Sequence, residues 1–125
     1  ARAKGTAVLE RSVFVALPGA GRWPSALLLD GNIGIGGNPA ALLGRVAALL
    51  APDGRLLVEL EPPGAGIQAI EARLERGGAA GPWFDWALIS VDAIDAVAGP
   101  AGFAVTTRWE GGGRWFAQLD RSCAA

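Results

Sequence analysis

The side chains best suited to chemistry lie in one short loop, where a carboxylate, a glycine and an amide follow each other as Asp30-Gly31-Asn32. Three leucines, Leu27 to Leu29, precede the loop, and Asn38-Pro39 follows it. In open α/β sheets, ligands bind outside the carboxyl ends of the strands, where free backbone N–H groups and helix N-termini meet. We therefore interpret Asp30 to Asn32 as the candidate site, with the carboxylate orienting or deprotonating a substrate and the amide hydrogen-bonding it.

Each of these residues also has a purely structural interpretation. Asp30 can cap the N–H groups of its own loop, and Asn32 can adopt the left-handed turn conformation that asparagine tolerates. The glycines of the loop permit either a tight turn or the close approach of a ligand. Glu61 ends the next predicted strand, where it either completes a carboxylate pair with Asp30 or is a solvated strand end. The sequence leaves these alternatives open.

Composition excludes several kinds of chemistry. The 125 residues, which we expect to form a single domain over 1–125, include no histidine, no tyrosine and one cysteine, Cys123. Ser-His-Asp and Cys-His catalysis, a zinc cluster and an internal disulfide are therefore unavailable within the chain, and acid/base work falls mainly to carboxylates.

Charge and hydropathy limit the classes of binding partner that the chain can have. The net charge is −1, and the basic residues are spread along the chain, which argues against nucleic acid as a partner. No apolar run is long enough for a membrane span, and the first residues, Ala-Arg-Ala-Lys-Gly, lack the apolar segment of a secretion signal. We therefore expect a cytoplasmic protein without a membrane partner.

The elements that position the loop follow from hydrophobic periodicity. Ser25 to Asp30 is apolar on both faces, which predicts a central parallel strand covered by helices on each side. Asn38 can cap a helix that has Pro39 at its first position. The Ala51-Pro52-Asp53-Gly54 segment ends the helix, and a strand over Arg55 to Glu61 follows. Strand, helix and strand with short links predict a right-handed crossover. The apolar stripe of the helix comprises Leu42, Leu43, Val46, Leu49 and Leu50.

The flanking segments are predicted from alternation and turn residues. Ala7 to Val15 reads as a strand. Gly19-Ala20-Gly21 reads as a turn, because Trp23-Pro24 follows where a phosphate loop would need a helix. Ile67 to Arg76 alternates apolar and charged residues, which favours a strand over a helix.

The C-terminal third contains a helix and a hairpin. Trp83 to Trp86 is predicted to be an extended segment. It either covers a substrate pocket or packs beneath the chain. Ser90 can cap a helix over Val91 to Ala98. Strands over Phe103 to Trp109 and Arg114 to Leu119 flank a glycine-rich turn, and we predict that Trp109 and Trp115 pair across them.

Two common nucleotide motifs are excluded by residue identity. A dinucleotide fingerprint needs G-x-G-x-x-G, but Pro39 stands where the third glycine would follow Gly34 and Gly36. Starting instead from Gly31 puts Ile33 in the second glycine position. The chain also lacks the Gly-Lys-Ser/Thr of a P-loop.

The segments Leu27 to Pro39 and Leu49 to Glu59 resemble the fourth-strand and fifth-strand regions of class I S-adenosylmethionine-dependent methyltransferases. The likeness extends through the terminal hairpin. It implies an α/β fold with a Rossmann-like mixed sheet, lacking the N-terminal strands and helices of that family and carrying a C-terminal antiparallel hairpin. In that family, segments that would lie before residue 1 bind the methionine and ribose parts of S-adenosylmethionine.

The resemblance also implies residue roles. It puts Ser12 and Val13 where the family contacts the adenine, and Asp30, Gly31 and Asn32 beside the transferred methyl group. Asp30 and Asn32 are then the candidate catalytic residues, and Ser12, Val13, Asp30, Gly31 and Asn32 are the candidate cofactor-binding residues. No metal is implied.

Three functional hypotheses follow. The first is transfer of a methyl group from S-adenosylmethionine to an unidentified acceptor, for which we favour a small molecule over a protein; this chain alone is then expected to be inactive. The second is a non-catalytic methyltransferase-like remnant that acts as an interaction or dimerisation module, with a homodimer formed through an exposed sheet edge. The third, and weakest, is a binding domain for another small nucleotide.

Overall fold

The structure, a computed structural model, describes residues 11–122. In chain order the elements are β1 (Trp23–Leu28), a 3-10 segment (Asn32–Gly37), α1 (Pro39–Leu49), β2 (Leu50–Leu60), β3 (Ile67–Ala72), β4 (Glu75–Arg76), β5 (Ala79–Ala80), β6 (Phe84–Ile89), α2 (Asp95–Ala98), β7 (Phe103–Gly111) and β8 (Arg114–Arg121). The main sheet is mixed and four-stranded, in the order β1-β2-β8-β7, and two small two-stranded sheets pair β3 with β6 and β4 with β5.

The predicted strand-helix-strand crossover is confirmed. β1 and β2 are parallel, with Leu28 opposite Val58. The Asn38 side chain accepts a hydrogen bond from the N–H of Ala41 at 3.1 Å, and Pro39 begins α1. The segment that was expected to end the helix instead opens β2, because the chain leaves α1 directly into an extended conformation at Leu50.

The core lies between α1 and one face of the main sheet. Leu42 and Leu43 of α1 are fully buried, as predicted from their spacing, whereas Leu49 is partly exposed. Alternate residues of β2 and β8 face them, because successive side chains of a strand point to opposite faces. The buried sheet residues of these two strands are Leu56, Val58, Leu60, Ala117 and Leu119.

The prediction that β1 is covered on both sides is wrong for the described part of the chain. Within residues 11–122, only β2 pairs with β1, and the side chain of Leu27 is 61% exposed. Leu28, on the opposite face, is buried in the core. The apolar pattern of β1 is that of a strand covered on two faces, but α1 covers only one of them.

The segment between β2 and α2 is more regular than the sequence indicated. A strand is confirmed at Ile67–Ala72, although it ends before Arg76. Its antiparallel partner is β6, which includes most of the stretch interpreted only as extended. The N–H of Glu61 donates to the carbonyl oxygen of Ile89 at 2.8 Å, and this bond ties β6 to the end of β2.

Ser90 does not cap a helix. The chain turns over 91–94, and α2 begins only at Asp95. Instead, the buried Ser90 hydroxyl donates to the Asp92 carboxylate at 2.5 Å and accepts from the N–H of Gly66 at 2.9 Å. The predicted cap is therefore replaced by bonds to Asp92, two residues later, and to Gly66, 24 residues earlier in the chain.

The C-terminal hairpin is confirmed, with longer strands than predicted. Gly112 and Gly113 both have positive φ, 61° and 80°, as the tight turns that join antiparallel strands require. This turn places Trp109 opposite Phe116, with which it stacks at 5.4 Å between ring centroids. The predicted pairing of Trp109 with Trp115 is therefore wrong, because the register differs by one residue.

The first described residues form a turn instead of the predicted strand. The N–H of Val15 donates to the carbonyl oxygen of Ser12 at 3.2 Å, and the Arg45 side chain anchors this segment to α1 through the carbonyl oxygens of Val13 and Val15. The rest of that predicted strand, and Cys123, lie outside the described residues. The turn predicted at Gly19 is confirmed. Among residues 11–122, no helix has both the length and the apolar character needed to cross a membrane.

Candidate functional site

A pocket of about 280 Å³ opens at the carboxyl ends of β1 and β2. The loop after β1, the end of β2, strand β6 and the turn of the hairpin form its walls. Both apolar and charged groups are present, as is common in small-molecule sites. The lining residues are Gly31, Ile33, Glu59, Leu60, Glu61, Pro62, Ala87, Leu88, Ile89, Gly113 and Arg114.

The loop after β1 contains two consecutive residues in the left-handed backbone conformation. Asp30 has φ 56° and Gly31 has φ 79°. Among the described residues other than glycine, Asp30 alone has a positive φ, a conformation that is disfavoured for side chains with a Cβ atom. The chain then continues into the 3-10 segment, where Ile33 is buried. Asp30 therefore stands in a strained turn at the rim of the pocket.

Two glycines of this loop allow it to pack against β6. A Cβ atom on Gly34 would lie 2.3 Å from the carbonyl oxygen of Ala87 and 2.5 Å from Nε1 of Trp86. A Cβ atom on Gly37 would lie 2.6 Å from Cβ of Asp85. Gly34 and Gly37 are thus needed for packing within the protein. Gly31 is different, because no described atom beyond its two chain neighbours lies within 4 Å of its Cβ position, which leaves space for a ligand.

An ion-pair network of Arg114, Glu59 and Asp30 lies at the edge of the pocket. Arg114 donates from Nε to Oε2 of Glu59 at 2.8 Å and from Nη2 to Oε1 of Glu59 at 2.6 Å. The same Nη2 donates to Oδ1 of Asp30 at 2.7 Å, and the N–H of Asp30 donates to Oε1 of Glu59 at 3.0 Å. The Arg114 hydrogen bonds and the N–H of Asp30 hold the pKa of Glu59 below its ordinary value. Glu59 in turn raises the pKa of Arg114.

The two carboxylates predicted for the site, Asp30 and Glu61, lie at different places relative to the pocket. The side chain of Asp30 is 82% exposed and is engaged by Arg114, so it lies at the rim. Glu61 lines the pocket and has no ion-pair partner among residues 11–122. The carboxylate that contacts the Asp30 turn is that of Glu59. Asn32 is exposed, and its N–H bonds to the carbonyl oxygen of Leu29.

Glu59 and Arg114 were missed by sequence reasoning. Glu59 lies near the end of β2 and Glu61 directly follows that strand, two positions later and therefore on the same face, a signal that was available in the sequence. Arg114 is 84 residues from Asp30 along the chain, and only the hairpin register brings the two together.

Ser12 and Val13 do not reach this pocket. Val13 lines a second, more apolar cavity of about 300 Å³ between β1 and α1, which shares no lining residue with the first. The Ser12 hydroxyl is exposed and accepts a hydrogen bond from the N–H of Phe14 at 3.1 Å. The structure thus brings together Asp30 and Gly31 but not the two predicted adenine contacts.

Comparison with known proteins gives a result at the level of the fold. No protein-family model and no curated protein matches the chain by sequence. A methyltransferase from Bacteroides fragilis in complex with S-adenosyl-L-homocysteine superposes with a TM-score of 0.61 at 23% identity, covering 82% of this chain and 49% of that one. The 1,6-didemethyltoxoflavin-N1-methyltransferase of Burkholderia thailandensis gives a TM-score of 0.57 at 15% identity, with 85% and 47% covered.

An amino pentose methyltransferase of calicheamicin biosynthesis from Micromonospora echinaspora, solved with bound S-adenosylmethionine, gives 0.59 at 15% identity, with 88% and 62% covered. The fold is that of class I S-adenosylmethionine-dependent methyltransferases. The Rossmann-like mixed sheet with its C-terminal antiparallel hairpin, predicted from the sequence, is thereby confirmed. The chain spans about half the length of the first two of these methyltransferases.

Proposed function

We propose that this chain carries the acceptor-facing part of an S-adenosylmethionine-dependent methyltransferase that acts on a small molecule. The observation that carries the proposal is the position of the pocket. In this fold, the ends of the parallel strands β1 and β2 bring the Asp30 turn and two glutamates to one opening. The activity of the whole enzyme is part of the proposal, because the chain covers only 47% to 62% of the superposed methyltransferases.

The residues present fit part of the cofactor. The pocket volume of about 280 Å³ lies at the lower limit of small-molecule sites, which begin at roughly 300 Å³. It therefore suits the acceptor or the reacting end of the cofactor. The open space beside Gly31 admits a ligand close to the backbone. Excess negative charge at the pocket also suits the cation of a sulfonium.

When bound, S-adenosylmethionine supplies an electrophilic methyl group on a sulfonium sulfur. The residues of the chain then have to align the acceptor and exclude water, which can lower the barrier substantially without a strong base. We assign Asp30 and Asn32 to orienting the acceptor through hydrogen bonds at the rim. Glu61, whose carboxylate has no ion-pair partner in 11–122, is placed to accept the proton that the acceptor loses.

The candidate cofactor-binding residues fall into two groups. We propose that Asp30, Gly31 and Asn32 contact the reacting end of the cofactor, since Gly31 lines the pocket and its neighbours form the rim. The adenine contacts of Ser12 and Val13 stay a prediction from the family resemblance, because these residues lie outside the pocket.

Calorimetric titration of the 125-residue chain with S-adenosyl-L-homocysteine tests the proposal. We expect weak binding, with a dissociation constant of about 1 mM, corresponding to roughly 4 kcal/mol, because the pocket holds only part of the ligand. Asp30→Ala should weaken binding further while the protein stays folded, whereas Arg73→Ala, on a distant surface, should not. Equal affinity for the wild-type and Asp30→Ala chains would remove Asp30 from the site.

The alternative is an interaction module. It is motivated by the edge of β1, which pairs on one side only within residues 11–122 and exposes Leu27. An unpaired strand edge can bind a second copy of the chain. Measurement of the solution mass separates the two proposals: a dimer that does not bind S-adenosyl-L-homocysteine supports the module, and a monomer that binds it supports the enzyme.

A further inference from the structure

We infer that Arg114 is a positioning residue, whose guanidinium holds the Asp30 turn against the end of β2. The inference concerns the site of the proposed function and rests on that function for its consequence in binding. The contacts themselves can be tested without any ligand.

The hairpin register brings Arg114 to this place. Phe116 of β8 lies directly opposite Glu59 of β2, and Arg114 is two residues from Phe116 on the same face. Such a diagonal neighbour lies within reach of a long side chain. The planar guanidinium matches both oxygens of the Glu59 carboxylate, an arrangement that fixes its orientation as well as its distance.

One guanidinium thereby joins three segments of the chain. Its Nη2 is shared between Glu59 and Asp30, at 2.6 and 2.7 Å. Oε1 of Glu59 also accepts the N–H of Asp30. The hairpin, the end of β2 and the turn after β1 meet at these atoms, although they are far apart in the sequence.

The Asp30 turn needs such support. Its φ of 56° is disfavoured for a residue with a Cβ atom. Its side chain is 82% exposed, so packing contributes little to holding it. The backbone bond from the N–H of Asn32 to the carbonyl oxygen of Leu29 closes the turn, and the hydrogen bonds to Glu59 and Arg114 are the contacts that hold this turn to the rest of the protein.

The same contacts involve residues that line the pocket. Gly31, next to Asp30, and Gly113, next to Arg114, both line it, as does Arg114 itself. We expect loss of the guanidinium to loosen the lining at both glycines. Binding at the pocket should consequently depend on Arg114 even where the ligand does not touch it.

Amide hydrogen exchange of Asp30, followed by NMR on the 125-residue chain, tests the inference. In Arg114→Ala we expect the Asp30 amide to exchange about tenfold faster, the size of effect that loss of a charged hydrogen-bond partner produces. The matched control is Arg73→Ala, which removes another surface arginine, ion-paired with Glu75 at 3.0 Å. The control should leave the Asp30 amide unchanged.

A pH titration adds a readout that a merely structural role would not move. The groups that face Glu59 are Arg114 and Asp30, and Glu61 lines the same pocket. In the wild type, the chemical shift of the Asp30 amide should follow Glu59, with a midpoint below the ordinary value of 4.5. In Arg114→Ala the midpoint should rise toward that value.

The Arg114→Lys variant distinguishes a role of the shared guanidinium from a role of positive charge alone. Lysine keeps the positive charge but cannot form the two-pronged contact, so the exchange rate should fall between those of the wild type and Arg114→Ala. Full restoration by lysine, or an unchanged Asp30 amide and Glu59 midpoint in Arg114→Ala, would overturn the inference. If the predicted changes are seen but S-adenosyl-L-homocysteine does not bind the wild type, the positioning role stands and the proposed function fails.

Discussion

Gly34→Ala is the substitution that tests most sharply how the loop after β1 is held. The added methyl group would lie 2.3 Å from the Ala87 carbonyl oxygen and 2.5 Å from Nε1 of Trp86. The carbonyl belongs to the backbone of β6 and cannot move aside without displacing the strand. The loop and β6 must therefore separate, and both of them line the pocket.

The expected change in the free energy of unfolding is the difference between two opposing effects. Inserting a methyl group into a packed site costs about 1–3 kcal/mol, and the backbone clash places this site at the upper end of that range. Replacing glycine by alanine also removes about 0.4–1 kcal/mol of unfolded-state entropy where the backbone is compatible. We expect a net loss of about 2 kcal/mol in the free energy of unfolding and a fall in Tm of roughly 8 °C.

Urea unfolding followed by tryptophan fluorescence measures this change. Gly44→Ala is the matched control, because Gly44 lies within α1 and no described atom stands within 4 Å of its Cβ position. That variant should instead gain about 1 kcal/mol, since alanine is the better helix former. A Gly34→Ala protein as stable as the wild type would refute the close packing of the loop on β6.

Two further predictions concern stability. Asn38→Ala should lower the free energy of unfolding by about 1 kcal/mol, because the N–H of Ala41 loses its cap, and urea unfolding measures it. Because the pKa of Glu59 is lowered in the folded protein, its stabilising contribution should be complete above the ordinary value of 4.5 and be lost as the pH falls through the lower folded value. Glu59→Gln should therefore reduce the acid sensitivity of unfolding; an identical pH dependence in wild type and variant would contradict this assignment.

The part of the fold that could be predicted is the part with strong local signals. The apolar run of β1, the Asn38 cap and the apolar stripe of α1 all lie within a short stretch, and together they define the crossover. Strand β6 was missed because the short β4–β5 hairpin, with its Gly77-Gly78 turn, separates it from its pairing partner β3. Trp109 was assigned to the wrong partner because hairpin register depends on the geometry of a glycine turn.

The sequence indicated the edge of the sheet at which a pocket opens, but not most of the residues that line it. A carboxylate after a buried parallel strand indicates the carboxyl edge of a sheet, and Asp30 and Gly31 lie at that edge. Sequence spacing carries no information on which distant arginine meets them, so Arg114 was not foreseen. The resemblance that suggested Ser12 and Val13 concerns the order of segments, and in this chain a turn leaves Ser12 exposed and directs Val13 to another cavity.

The central claim is that the ends of β1 and β2 form a ligand site, and NMR mapping of S-adenosyl-L-homocysteine on the 125-residue chain tests it most directly. This experiment detects even millimolar binding and reports where the ligand lies. We predict saturable shifts at the amides of Asp30, Gly31 and Glu59, with the amides of α2 unchanged. Shifts confined to other residues, or none at several times the expected dissociation constant, would contradict the claim.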